Sequence, residues 1–181
     1  EWFGGSVDAS DLLVWAQGDD AFDVDQAYSG TISNIMSIAD VESDHALEID
    51  GPEGSMEAGF TMNTGMFIGY NPDGGEYADF RSNAMGSLSG LYFENFSCSS
   101  DFELDNDGVA QNAMDGELSF SNLQFNVSHL ADSCNVSVES VCLDKSENDI
   151  AASFTWDAII TTNQGVGFDA SQFSGWTCYN N

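Results

Sequence analysis

Positive charge is almost missing from this chain: Arg81 and Lys145 are its only strong bases against 31 acids, a formal net charge of −29. So anionic a surface repels nucleic acid and anionic membrane faces, and neither is expected as a partner. Long hydrophobic runs are missing too, and nothing approaches the roughly 18 apolar residues that a membrane-spanning helix needs. Proline occurs only at Pro52 and Pro72, both in stretches that read as loops. Cysteine is limited to Cys98, Cys134, Cys142 and Cys178. None forms a C-x-x-C pair, and His45 and His129 lie far from them in sequence, so a structural zinc is not expected. No G-x-S-x-G nucleophile elbow and no glycine-rich phosphate loop occurs.

What is present in quantity is apolar and aromatic. Of 181 residues, 42% are hydrophobic and 13 are Phe, enough for one domain with a real core despite the charge. The apolar residues are organised by a repeat. A hydroxyl residue, a turn residue and an aliphatic residue recur as Ser10-Asp11-Leu12, Ser33-Asn34-Ile35, Thr64-Gly65-Met66, Ser89-Gly90-Leu91 and Ser121-Asn122-Leu123. The middle residue is always Asp, Asn or Gly, the types that tolerate a left-handed backbone best. A second element follows the first four at a similar distance: Phe22-Asp23-Val24-Asp25, Leu47-Glu48-Ile49-Asp50, Ala78-Asp79-Phe80-Arg81 and Phe102-Glu103-Leu104-Asp105.

Two phase-locked elements predict a solenoid. Alternation within the second element points the apolar residues inward and the carboxylates outward. Helical periodicity is nowhere sustained, so each coil is two or three short strands stacked on the next at about 4.8 Å. The prediction is an all-β, right-handed parallel β-helix of about five to seven coils. A β-sandwich suits the strand spacing but does not explain turn chemistry returning in register. Residues 1–181 read as one domain, with coils over 1–138 and a terminal coil and cap over 139–181. Phe168 to Tyr179, with Phe173, Trp176 and Cys178, reads as an aromatic cap over the end of the core. The chain opens in mid-pattern at Trp2-Phe3, so it reads as the C-terminal part of a longer protein. The Glu1 end is expected to be an uncapped edge that meets preceding coils or a neighbouring subunit.

Even cysteine usage implies two disulfides and an oxidising compartment. Three connectivities are open. Cys98–Cys134 with Cys142–Cys178 is preferred because each pair staples adjacent coils.

The stretches Gln17 to Gln26, Asp44 to Gly51 and Phe173 to Thr177 resemble the β-helical regions of large secreted surface proteins of Bacteroidota-type bacteria. The resemblance implies the fold and an extracellular, cell-surface location. It carries over no catalytic residue.

If the coils align, Asp23, Glu48, Asp79 and Glu103 form one outward column and Asp25, Asp50, Arg81 and Asp105 the next. Like charges about 4.8 Å apart repel by roughly 1 kcal/mol per pair even in water, and the first column contains no base. Bound cations or raised carboxyl pKa values are the two ways to relieve it. Oxygen-only ligands suit Ca²⁺, so Asp23, Asp25, Glu48, Asp50, Asp79, Glu103 and Asp105 are its candidate ligands. A merely solvated acidic face is the competing reading.

Asp20, Asp23, His45 and Glu48 are the catalytic candidates. Pectin-hydrolysing β-helices place paired carboxylates on adjacent coils near a histidine, and this stretch is locally similar. Their basic substrate-gripping motif is absent here. The leading expectation is therefore a structural or adhesive extracellular module, with a glycan-binding module or a pectinase-like hydrolase as alternatives. A deep groove around the four candidates would mark an enzyme, and a flat acidic face a structural module.

Overall fold

Strands come in pairs, two to a coil. In the computed structural model, which describes residues 1–71, 75–105, 107–131, 134–163 and 167–175, they build two six-stranded, wholly parallel sheets. The first sheet runs β1 (Trp2–Gly5), β3 (Phe22–Tyr28), β5 (Leu47–Asp50), β7 (Ala78–Arg81), β9 (Phe102–Leu104) and β11 (Cys142–Asp144). The second runs β2 (Ala9–Trp15), β4 (Thr31–Ile38), β6 (Phe60–Ile68), β8 (Gly86–Glu94), β10 (Leu118–Asn126) and β12 (Trp156–Ile160). Neighbours in each sheet are one coil apart in sequence, which is a parallel β-helix of six coils.

Both repeats stack as the sequence implies. Asp23 pairs with Glu48, Glu48 with Asp79, and Asp79 with Glu103. In the second sheet Ser10, Ser33, Asn63, Ser89 and Ser121 form one register column. The third copy of the tripeptide is thus Asn63-Thr64-Gly65, one residue earlier than expected. The reason is packing. Gly65 stands between Ile35 and Leu91 at the apolar position, where an added Cβ would come within 3.0 to 3.1 Å of Phe67, Ile35 and Leu91 side chains. The left-handed residue is Thr64 itself, at φ 54°, in line with Asp11 at 57°, Asn34 at 50°, Gly90 at 63° and Asn122 at 52°. Side chains in this column bond along the stack: Thr64 Oγ1 accepts from Asn34 N at 2.9 Å, and Asn34 Nδ2 donates to Asp11 Oδ1 at 2.7 Å.

Each left-handed residue resets the alternation, so that Ser33 faces out while Ile35, two residues on, is fully buried. Every strand of the second sheet therefore has two arms, and the coil shows three outward faces. The first sheet carries the carboxylates. The arm before the turn carries hydroxyls, and the arm after it carries apolar groups such as Leu13, Met36, Met66 and Tyr92 in register.

Inside, Phe67, Phe93 and Phe125 stack coil upon coil, with centroids 4.8 and 5.2 Å apart and planes within 16° and 11°. Offset ring stacking of this kind adds about 0.5–1.5 kcal/mol per pair beyond burial. At the last coil, Trp156 packs against Phe102, Phe120 and Phe154, closing the core with aromatic side chains. The residues expected to do this are placed elsewhere. Phe168 and Phe173 stack at 5.7 Å on the outside of the second sheet, over Met36, Met66 and Tyr92. An apolar outward column needs such a cover. Trp176, Cys178 and Tyr179 lie outside the described residues.

Three further points differ from or refine expectation. Residues 107–115 form a helix, α1 (Asp107–Asp115), although helical periodicity is nowhere sustained in the sequence, because Val109 and Ala113, four apart, both turn into the core beside β9 and β10. Cys98 and Cys134 are disulfide-bonded, with Cα atoms 5.8 Å apart. Cys142 is a free thiol buried in the inward column beside Phe102, not half of a second disulfide. Its expected partner Cys178 lies outside the described residues. The two ends of the stack also differ. β1 and β2 are edge strands, whereas residues 148–150 fold back over β11, with Asp144 N donating to Asn148 O at 3.0 Å and Ile150 N to Cys142 O at 3.2 Å.

Candidate functional site

Three of the four catalytic candidates come together where the first sheet begins. Asp20 precedes β3, His45 precedes β5, and Glu48 lies within β5, so the stacking of two coils brings them side by side. Their ligand atoms lie within 4.8 Å of one another. Asp20 Oδ1 accepts from the backbone N–H of His45 at 3.0 Å and sits 2.6 Å from its ring Nδ1. Glu76, one coil further on, places a carboxylate oxygen 3.6 Å from His45 Nε2, and Asp44 one at 3.8 Å from Nδ1.

Burial by itself would lower the His45 pKa, but the bond to Asp20 and the charges of Asp44 and Glu76 override it and hold the ring up to about 9. The ring is thus an imidazolium at neutral pH. Glu48 is pushed up to about 8, first by burial and then by its hydrogen bond to Asp20 and the charge there. Asp20 is also buried, which raises it, yet the bonds from His45 and Glu48 keep it below the usual carboxylate value. Glu48 is thus held up and Asp20 held down, the two carboxyls being separated in acidity by burial on one side and by the His45 ring on the other.

Asp23, the fourth candidate, stands apart in a group with Glu1 and Asp25. Burial, then the neighbouring Asp25 and Glu1, raise it to about 6, and its Oδ1 is buried without a hydrogen-bond partner. A third close group is Asp19, Asp20 and Asp44. These three groups bring oxygen or nitrogen ligands near enough together to share one cation.

The rest of the acid ladder is partly neutralised. Arg81 lies in register with Asp50 but its side chain reaches back to the other column, donating from Nε to Asp79 at 2.5 Å and from Nη1 to Glu48. The first column therefore does contain a base, contrary to expectation, because the guanidinium is long enough to cross to the neighbouring column. Asp50 accepts from Ser82 Oγ at 2.8 Å, and Asp105 pairs with Lys145. Glu103 is raised by burial and by Asp79 and Asp105.

Two members were not anticipated. Glu76 bridges in register with His45. Asp101 is raised to about 7 by burial and by Glu76 and Glu103, and its Oδ1 is buried and unpartnered. Both occur just before the apolar-acid-apolar element of their coils, a position the repeat marks but whose burial it does not.

The chemistry open to this cluster is limited by access. The side chains of Asp20, His45 and Glu48 are only 9, 10 and 16% exposed. Glycosidase carboxyl pairs stand about 5–9.5 Å apart with the sugar between them, whereas Asp20 and Glu48 bring their oxygens within 4.8 Å of each other and of the His45 ring. Cavities of about 460 and 440 Å³ open elsewhere, beside Met114 and Phe154 and beside Pro52 and Asn112.

The stacked parallel sheets, the left-handed turn column and the outward acids define a parallel β-helix protein. Comparison with known families agrees: a pectate-lyase-like beta helix domain matches residues 1–177. The chain belongs to that family. No curated protein and no solved structure matches it.

Proposed function

We propose that this protein is a stiff structural and adhesive β-helical module that works outside the cell. The observation that carries the reading is the closure of the Asp20–His45–Glu48 cluster on itself. Asp20 and His45, 2.6 Å apart with Glu48 beside them and all three largely buried, hold neighbouring coils together and offer little exposed surface to a sugar ring. The chain also lacks the bases needed to grip uronates. The Cys98–Cys134 disulfide supports an oxidising, extracellular setting. Among the described residues no helix is long and apolar enough to cross a membrane.

In this reading the β1–β2 edge meets an adjoining coil, either of the same polypeptide or of a neighbouring subunit. Phe3 and Val7, 68 and 71% exposed, lie beside that edge, which carries no Pro or Lys to block pairing. Ca²⁺ bound by the acid ladder stabilises the folded coils, since a ligand that binds only the native state shifts unfolding by mass action.

The test has two arms. Purified protein is assayed for new reducing ends on galacturonan and on neutral glycans, beside the Glu48→Gln variant. Thermal melts are compared in calcium and in chelator at matched ionic strength. No hydrolysis and a higher melting temperature in calcium are expected. Reducing ends released by the parent protein and not by the variant would overturn the structural reading, and coincident melts would remove calcium from it.

A further inference from the structure

The hydroxyl arm of the second sheet is unlike the rest of this surface. Thr31 pairs with Thr61, and Thr61 with Ser87, which pairs with Ser119. Two residues along each strand runs the parallel column from Ser10 to Ser121. The residues between the columns, Ile32, Met62, Leu88 and Phe120, are all buried, so both columns project outward from a packed floor. Registers across β4, β6, β8 and β10 hold through both columns without a slip.

Charge is sparse on this face although the chain carries 31 acids. One column begins at Asp8, which accepts from Thr31 N at 2.8 Å; beyond it, from Thr31 to Ser119 and from Ser10 to Ser121, neither column contains a carboxylate or a base, while the first sheet has an acid at nearly every outward position. Apart from Ser10, which donates to Asp11 Oδ2 at 3.0 Å, and Ser119, which donates to Gly86 O at 3.5 Å, the polar groups are also unspent. Among the described residues the side chains of Thr31, Ser33, Thr61, Asn63, Ser87 and Ser89 make no hydrogen bond to protein, and none of them is buried.

We propose that this array is an ice-binding surface, a site for ordered water in a crystalline lattice. Its polar side chains, hydroxyls in all places but Asn63, repeat at about 4.8 Å from coil to coil and about 6.6 Å along the strand, the spacings that parallel strands impose. Those are the scale of the oxygen repeats in an ice face. The neutral array matches a neutral, hydrogen-bonding lattice, where an acidic face would hold mobile counterions instead. Glycans fit less well, because the columns offer no aromatic platform for a sugar ring. Held rigidly by the core, the free hydroxyls lose little entropy when they order water. The proposal rests on the fold and stands or falls independently of the structural role argued above.

The experiment measures thermal hysteresis and inhibition of ice recrystallisation by the intact protein, by Thr61→Tyr and by Ser89→Tyr. Each variant puts a bulky ring in mid-array without entering the core, and circular dichroism with thermal melts verifies folding. Glu42→Tyr, on an exposed loop, is the control. Faceted ice crystals with the parent and the control, and loss of the effect in a folded array variant, are expected. Ice growth with the parent equal to that in buffer overturns the proposal. So does full activity in both folded array variants, or binding to crystalline cellulose with no effect on ice.

Discussion

Removing Arg81 tests how the acid ladder is held. The guanidinium donates to both Glu48 and Asp79, whose side chains are 16 and 10% exposed, while Arg81 itself is 37% exposed. Fully exposed pairs contribute about 0–1 kcal/mol, and breaking a buried pair costs about 3–5 kcal/mol. The Arg81 pairs lie between, and solvent around the guanidinium favours the lower half. Arg81→Gln is therefore expected to cost about 1–3 kcal/mol at pH 8.

The pH dependence is the sharper signature. Glu48 sits at about 8 in the fold against 4.5 when unperturbed, and Asp79 is raised as well, by burial first. A carboxyl held higher in the folded state contributes its stability below the unfolded pKa and loses it as pH rises through the folded one. Arg81 lowers both groups, so without it they rise further and stability falls more steeply between pH 4.5 and 8. The deficit of the variant should be largest at pH 8 and smallest near pH 5, where both carboxyls can take up protons. Urea unfolding followed by circular dichroism at low salt, at the two pH values, reads this directly. A deficit under about 0.5 kcal/mol at pH 8, or one that is larger at pH 5, would refute the reasoning.

Phe93→Ala removes the centre of the Phe67–Phe93–Phe125 stack and should cost about 3–5 kcal/mol with an unchanged urea m-value, a cost that a loss below about 1 kcal/mol would contradict. Thr64→Asn should stabilise by up to about 1 kcal/mol, since Asn tolerates the left-handed backbone better and keeps an acceptor for Asn34 N–H. A lower melting temperature would show that the Thr64 methyl packs more usefully than the turn geometry suggests.

The architecture was readable from the chain because a solenoid repeats its local rules. Apolar-acid-apolar elements at Phe22, Leu47, Ala78 and Phe102 specify inward and outward positions by alternation alone, and their spacing sets the stack. Asp, Asn and Gly marked four of the five left-handed turns by their backbone tolerance. The third turn was misplaced by one residue because Thr64-Gly65 obeys a different demand: the volume of Phe67, contributed by the same coil, forces glycine into the apolar position.

What the repeat cannot encode is the reach of a side chain across columns or across coils. Arg81 belongs by register to one acid column and by its contacts to the other. Glu48 is raised to about 8 because it is buried and a neighbouring coil sets Asp20 beside it. Cys142 reads as a disulfide partner by count and is a core thiol by position. Phe173 reads as a cap and instead covers Met36, Met66 and Tyr92. Alternation and turn chemistry act over a few residues, so sequence determined the coil. Burial, long-range charge and the path of the final segment depend on which coils come to lie beside one another, so only the tertiary structure decided the site.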